Sequence, residues 1–203
     1  MPKTLNPNES YTFSKFFELK LSCRNLAQEF GYSFERKQLN LPHYLGELSR
    51  LEETQKRILE TQPYISLSSE ASRREVLISP VILDLVYYTK AQLEIEYSIK
   101  VNQQLQGILD YFLESNQDLL IVEAKREDLD FGMTQLVAEL IALDVWLEDK
   151  SQHKLLGAVT TGKSWEFAQL QRTEKHVIQG LESYRVPEDL EELMRILVQA
   201  LKT

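Results

Sequence analysis

The chain has one cysteine, Cys23, among 203 residues. No internal disulfide can form, and a reducing cytoplasm is the expected compartment. Cys23 sits in Lys20-Leu-Ser-Cys23-Arg-Asn-Leu26, which reads as a helix interior and gives it a structural role. There are three histidines, His43, His153 and His176, far apart in sequence. With a single cysteine they assemble no zinc-ligand spacing. No apolar run reaches the roughly 18–20 residues that cross a bilayer, so no membrane association is expected. The first eight residues, Met1-Pro-Lys-Thr-Leu-Asn-Pro-Asn8, contain no apolar stretch of the signal-peptide kind. Seven glycines and six prolines are too few for low complexity or long flexible linkers.

Basic charge is also scarce. The formal net charge is −8. Residues 1–68 hold 9 Lys/Arg and 8 Asp/Glu, a balance of +1, and residues 69–203 hold 14 and 23, a balance of −9. That distribution opposes tight, unaided binding to nucleic acid, which depends on neutralising phosphates. It leaves room for an acidic centre that carries metal, or for a basic partner. An apolar fraction of 43% with 27% charged residues is ordinary for a globular protein of one substantial domain, with or without an extension.

The order of elements follows from periodicity. Phe13, Phe16, Phe17, Leu26, Ala27 and Phe30 have helical spacing, and Gly31 supplies a stop. A second amphipathic helix spans 43–61 and ends at Gln62-Pro63. These place a helical extension at 1–68, ahead of a domain at 69–203. A third helix runs from Glu70 to about Thr89, interrupted at Ser79-Pro80, where proline either kinks it or starts a new one with Ser79 as N-cap. Gln92–Ile99 alternates as a half-buried strand. After a hairpin at 107–125 comes a helix at about 131–149, with Met133, Leu136, Val137, Leu140 and Ile141 as its buried stripe. Gln135 and Glu139, four apart, lie beside that stripe. Leu155–Val159 and Trp165–Leu170 form a strand pair turned at Thr161-Gly162, with Trp165 and Phe167 as core. His153 falls in a loop. Pro187 opens a last amphipathic helix. The pattern is α/β, a mixed central sheet flanked by helices.

The chemistry concentrates in the hairpin. Gly107–Leu113 and Leu119–Val122 are apolar runs joined by Glu114-Ser-Asn-Gln-Asp118. If the turn closes on Asn116-Gln117, residues whose numbers sum to 233 stand opposite one another. Asp110 then faces Glu123, and Lys125, two residues on, shares their side of the sheet. Opposed carboxylates repel; a hard divalent cation relieves this, and a lysine beside it can orient an attacking water or steady an anion. The alternative is a plain sheet-end ion pair. Glu-x-Lys itself occurs four times, at 18–20, 35–37, 123–125 and 148–150. Only the third closes an apolar strand and has an acid on the strand before it.

With Asp110…Glu123-Ala-Lys125 in that setting, the chain resembles the PD-(D/E)XK nuclease superfamily. More narrowly, residues 70–170 are similar to the N-terminal nuclease domain of type I restriction motor subunits. The supporting stretches are Glu70-Ala-Ser-Arg-Arg-Glu75, Val122-Glu-Ala-Lys-Arg126, Gly132-Met-Thr-Gln135-Leu-Val-Ala-Glu139 and Leu156–Phe167. Leu109 replaces the nominal proline, and no Gly-rich phosphate loop of a motor is present. The resemblance implies a restriction-endonuclease-like fold over 69–203 and Mg2+ (or Mn2+) held by Asp110, Glu123 and the carbonyl of Ala124. Glu75 is the third acid in this scheme, with Glu70 as its competitor. Lys125 acts on water or charge, and Gln135 orients Lys125 or touches a phosphate. Glu75 also reads as a solvated charge, and Gln135 as a helix-surface amide. The expected activity is hydrolysis of DNA phosphodiester bonds in the cytoplasm, by a chain that binds DNA weakly alone and pairs as a homodimer or with a partner protein. The competing expectations are a catalytically silent subunit of the same fold and an unrelated α/β protein with a sheet-edge salt bridge.

Overall fold

The computed structural model describes residues 5–6, 8–115, 118–125, 128–148 and 152–202. Seven strands, β1 (Ser33–Arg36), β2 (Gln92–Asn102), β3 (Leu105–Ser115), β4 (Asp118–Ala124), β5 (Lys154–Thr160), β6 (Ser164–Gln171) and β7 (His176–Arg185), build one mixed sheet. Their order across it is β1-β7-β6-β5-β4-β3-β2. The strands β2, β3 and β4 form an antiparallel meander, as do β5, β6 and β7. A crossover through helix α6 (Leu129–Trp146) brings β5 parallel to β4, and β1 lies parallel to β7 at the far edge. The remaining helices are α1 (Phe13–Glu18), α2 (Cys23–Glu29), α3 (Leu51–Thr61), α4 (Glu70–Arg73), α5 (Ser79–Thr89) and α7 (Leu190–Ala200).

Each sheet face carries its own core. Phe13 and Phe16 of α1, Leu26 and Ala27 of α2, and Leu136, Val137, Leu140 and Ile141 of α6 pack with Phe112, Ile121 and Leu170. Ile58, Ile82, Leu85, Leu193 and Leu197 of α3, α5 and α7 pack on the opposite face with Leu113, Val122, Trp165 and Phe167. The sequence reading gives α6 a single buried stripe. It is instead buried on every side from Gly132 to Asp144, because α1 and α2 cover the side that the sheet does not. That enclosure buries Gln135 and Glu139 along with the apolar residues.

The first 68 residues were expected to be a helical extension. They also supply strand β1 to the sheet, and their helices fill both cores. The helix expected at 13–30 is divided: α1 stops at Glu18, Lys20 takes φ +52, and Ser22 caps α2 by accepting from the Asn25 N–H at 3.2 Å. The helix expected at 43–61 begins only at Leu51. Between Glu70 and Thr89 the chain stays helical through Ser79 (φ −55, ψ −41), which is therefore no N-cap. A π turn at Arg74–Ile78 precedes Pro80. Proline has no N–H for the helical ladder, and a wider turn before it absorbs the lost bond.

Candidate functional site

The hairpin has the register read from the sequence. Tyr111 pairs with Val122, Phe112 with Ile121, Leu113 with Leu120, Glu114 with Leu119 and Ser115 with Asp118, each pair summing to 233. The turn residues Asn116 and Gln117 lie outside the described residues. The next pair in this register is Asp110 with Glu123, and there the strand becomes irregular. Leu109 and Phe112 join the same core while Tyr111 joins the other, which strict alternation forbids. On the neighbouring strand Glu96, between the pairs Ile95–Tyr111 and Tyr97–Leu109, takes φ +58. At this distortion Asp110 Oδ2 accepts the Ala124 backbone N–H at 2.8 Å, while the Lys125 N–H donates to the Thr160 carbonyl at 2.7 Å. Side-chain and main-chain bonds together fix where β4 ends.

Glu123 and Lys125 then meet α6. Lys125 Nζ donates to Glu123 Oε1 at 2.5 Å and to Gln135 Oε1 at 2.9 Å. Gln135 Nε2 donates to Glu123 Oε1 at 2.7 Å and to Glu139 Oε1 at 2.9 Å. The ammonium also stands 5.1 Å from the centroid of the Phe17 ring, a cation–π contact from α1. Gln135, expected as a residue that orients Lys125, bonds it directly. Glu123 is 2% exposed, and its Oε2 has no N–H or hydroxyl donor among the described residues.

Burial, reinforced by the charge of Asp110, pushes the Glu123 carboxyl up to about 7. Burial and the neighbouring Glu123 push Glu139 well above the ordinary carboxyl range. Lys125 bonds Glu123 and favours its carboxylate, whereas burial favours the protonated form of Glu139. For Lys125 burial works against the charged form, but the Glu123 carboxylate outweighs it and raises the ammonium above its usual range. Lys125 is therefore a cation at neutral pH.

Glu70, Glu96, Asp110, Glu123, Lys125 and Gln135 line one cleft of about 400 Å³, with Thr12 and Ser14 of the N-terminal segment on its rim. The structure thus gathers Asp110, Glu123, Lys125 and Gln135. Glu75 is exposed on the π turn and does not line the cleft; Glu70, its competitor, does. Ala124 enters through its N–H, bound to Asp110. Among the described residues no group of three or more His, Cys, Asp or Glu is arranged to hold a metal ion.

Three contributors were not singled out as site residues from sequence. For Glu139 the i,i+4 spacing from Gln135 is the signal that the sequence offers. Arg74 was a charge beside Glu75. Glu96 had no signal, because alternation along β2 assigns it to solvent. No family model matches the chain, and no curated protein matches it. No helix among the described residues is long and apolar enough to cross a membrane.

Proposed function

We propose that this chain is a Mg2+-dependent nuclease of the PD-(D/E)XK type, hydrolysing DNA phosphodiester bonds. The observation that carries this reading is the convergence of Asp110, Glu123, Lys125 and Gln135 on one cleft. The element order supports it: a helix, an antiparallel meander, a crossover helix and a parallel strand, as the resemblance in sequence implies for a restriction-endonuclease-like core. The donor set suits a hard cation, since two carboxylates line the same cleft and one has a buried oxygen without an N–H donor. Asp110 and Glu123, with the Ala124 carbonyl, would hold Mg2+ or Mn2+, which supplies Lewis-acid stabilisation and a more acidic water.

Lys125 serves as a cationic donor rather than as a base, because Glu123 keeps it protonated. It steadies charge developing on the phosphate, and the Gln135 carbonyl fixes the direction of its ammonium. Gln135 joins Glu139 to Glu123 through its amide N–H groups. The acidic balance of the chain makes DNA binding weak for one copy. A homodimer would bring the two sites that double-strand cleavage requires, and a basic partner protein would add phosphate contacts. The test is cleavage of plasmid, linear duplex and single-stranded oligonucleotides in Mg2+ or Mn2+. Cutting by the wild type is expected to vanish in Lys125→Ala, with the fold retained by circular dichroism. Undiminished metal-dependent cutting by that variant removes the reading.

A catalytically silent subunit of the same fold is the second reading. What favours it is that Lys125 and Arg74 each neutralise one of the two acids, so each already has a counter-cation without a ligand. Calorimetry that finds no Mg2+ or Mn2+ binding, together with a stable oligomer, would select it.

A further inference from the structure

Arg74 opens the π turn that interrupts the helix over 70–89. Its Nη1 lies 3.5 Å from Asp110 Oδ1 and 3.6 Å from Glu96 Oε1. Its Nε donates to the Tyr111 hydroxyl at 3.4 Å, and its guanidinium carbon stands 5.1 Å from the Tyr111 ring centroid. The side chains of Arg74 and Asp110 are 18% and 17% exposed, so solvent only partly screens the pair. Glu96 reaches this meeting point from a left-handed conformation inside β2, which costs a non-glycine residue about 1 kcal/mol or more. Two backbone irregularities, the π turn and the left-handed Glu96, therefore bring a cation and a second anion onto Asp110. Both are kinds of distortion that recur at functional sites.

The contacts differ from those of a structural strut. Arg172 in the same protein binds Asp144 at 2.8 Å, with both side chains almost wholly buried. Arg74 is shared between two carboxylates at distances beyond the roughly 2.7–2.9 Å of strong charge-assisted bonds. It neutralises both acids while being held tightly by neither.

We infer that Arg74 is the resident counter-cation of Asp110 and Glu96, and that it competes with a divalent ion for this end of the cleft. The inference rests on the metal-dependent reading above. With no divalent ion bound, the guanidinium relieves the repulsion between Asp110 and Glu96. An arriving ion displaces it, and the freed guanidinium remains at the cleft, where its planar fork suits a phosphate. Arg74 is thus a positioning residue that sets the threshold for metal loading.

The test is Mn2+ binding to the full chain at pH 7.5, by calorimetry and electron paramagnetic resonance. Arg74→Ala is expected to bind Mn2+ about tenfold more tightly than wild type, the scale of removing one unit charge a few ångströms away in a partly hydrated site. Arg74→Lys, which keeps the charge, should stay near wild type. Glu96→Gln, which leaves Arg74 to Asp110 alone, should bind more weakly. A strut would behave in the opposite way, with Arg74→Ala loosening the site and weakening Mn2+ binding. If Arg74→Ala does not fold, Arg74→Gln carries the same expectation, since it keeps a polar donor without charge. Equal or weaker binding by the neutral variant overturns the inference and leaves the nuclease reading intact wherever the wild type binds Mn2+. Binding by the neutral variant alone supports it, with Arg74 holding the wild-type site shut. Absence of binding in every variant overturns the inference and the metal-dependent reading together.

Discussion

Asp110 Oδ2 accepts the backbone N–H of Ala124 at 2.8 Å, so the acid of β3 is tied to the strand that carries Glu123 and Lys125. The Ala124 amide is fully buried and needs an acceptor. Asp110→Ala leaves that donor unmet and should cost about 1–3 kcal/mol of stability. Asp110→Asn retains an oxygen for it but turns an NH2 toward the donors of Arg74, so its stability should fall between wild type and the alanine variant. Both should lack cleavage. Urea denaturation of the three proteins measures the order, and an asparagine variant less stable than the alanine variant would mean that the Ala124 bond contributes little.

The Glu123–Glu139 pair makes stability depend on pH in a defined direction. Both carboxyls start from an ordinary value of 4.5, and in the folded protein Glu123 is raised to about 7 and Glu139 is raised as well. Above pH 4.5 the unfolded chain has released protons that the folded chain still holds. Stability from this pair is complete below that point and is lost as pH rises, through about 7 for Glu123, with Glu139 acting in the same direction. Each excess proton contributes a slope of about 1.4 kcal/mol per pH unit. Glu139→Gln keeps an acceptor for Gln135 and removes a titrating group, so it should flatten the slope. Urea denaturation from pH 5 to 8 with chelator present reads the difference; identical slopes in the two proteins would exclude the proton assigned to Glu139.

Gln135 serves three charged or ionisable groups with one amide. Gln135→Ala removes those bonds and should destabilise by about 1.5–3 kcal/mol, the scale of hydrogen bonds to charged groups. Gln135→Glu is nearly isosteric, yet it should be the worse change at pH 8, because it places a third carboxyl against Glu123 and Glu139. The penalty should shrink at pH 5, where that carboxyl can hold a proton. Thermal unfolding at the two pH values tests the ranking. A glutamate variant as stable as wild type at pH 8 would show that the cluster is more hydrated than its burial indicates.

The hairpin was legible because two apolar runs around a short polar turn determine their own register, and a single sum fixes every pair from Tyr111–Val122 to Ser115–Asp118. The meander, the crossover helix and the β5–β6 pair followed from similar local signals. Strand β1 was not legible. Ser33-Phe-Glu-Arg36 is short and polar, and it extends only because β7 lies beside it. Strand β7 was missed as well, although it forms a hairpin with β6: Gly180 interrupts its pattern, and its other partner, β1, is distant in sequence. The site divides in the same way. Asp110, Glu123, Lys125 and Gln135 follow from strand alternation, helix spacing and the family resemblance. Arg74 depends on a π turn, for which Pro80 is the local marker but which strict helical spacing does not place, and Glu96 on a left-handed conformation that no glycine announces.

Gly132 connects the helix to the lysine. A Cβ there would lie 2.8 Å from Val159 Cγ2 and 2.9 Å from Lys125 Cγ, closer than packed carbons tolerate. Helix propensity favours alanine over glycine by about 1 kcal/mol, whereas overpacking costs about 1–3 kcal/mol. Val159 is held in the sheet, and the Lys125 stem is anchored at its tip by Glu123 and Gln135. Gly132→Ala should therefore lose stability despite the better helix former, and should reduce cleavage by shifting the ammonium. Removing the stem relieves one of the two clashes, so Gly132→Ala should cost less in a Lys125→Ala background than in wild type. A double-mutant cycle by urea denaturation measures that coupling. Strict additivity would mean that the lysine yields freely to the new methyl group, and that its place in the cleft is not set by the close approach of α6.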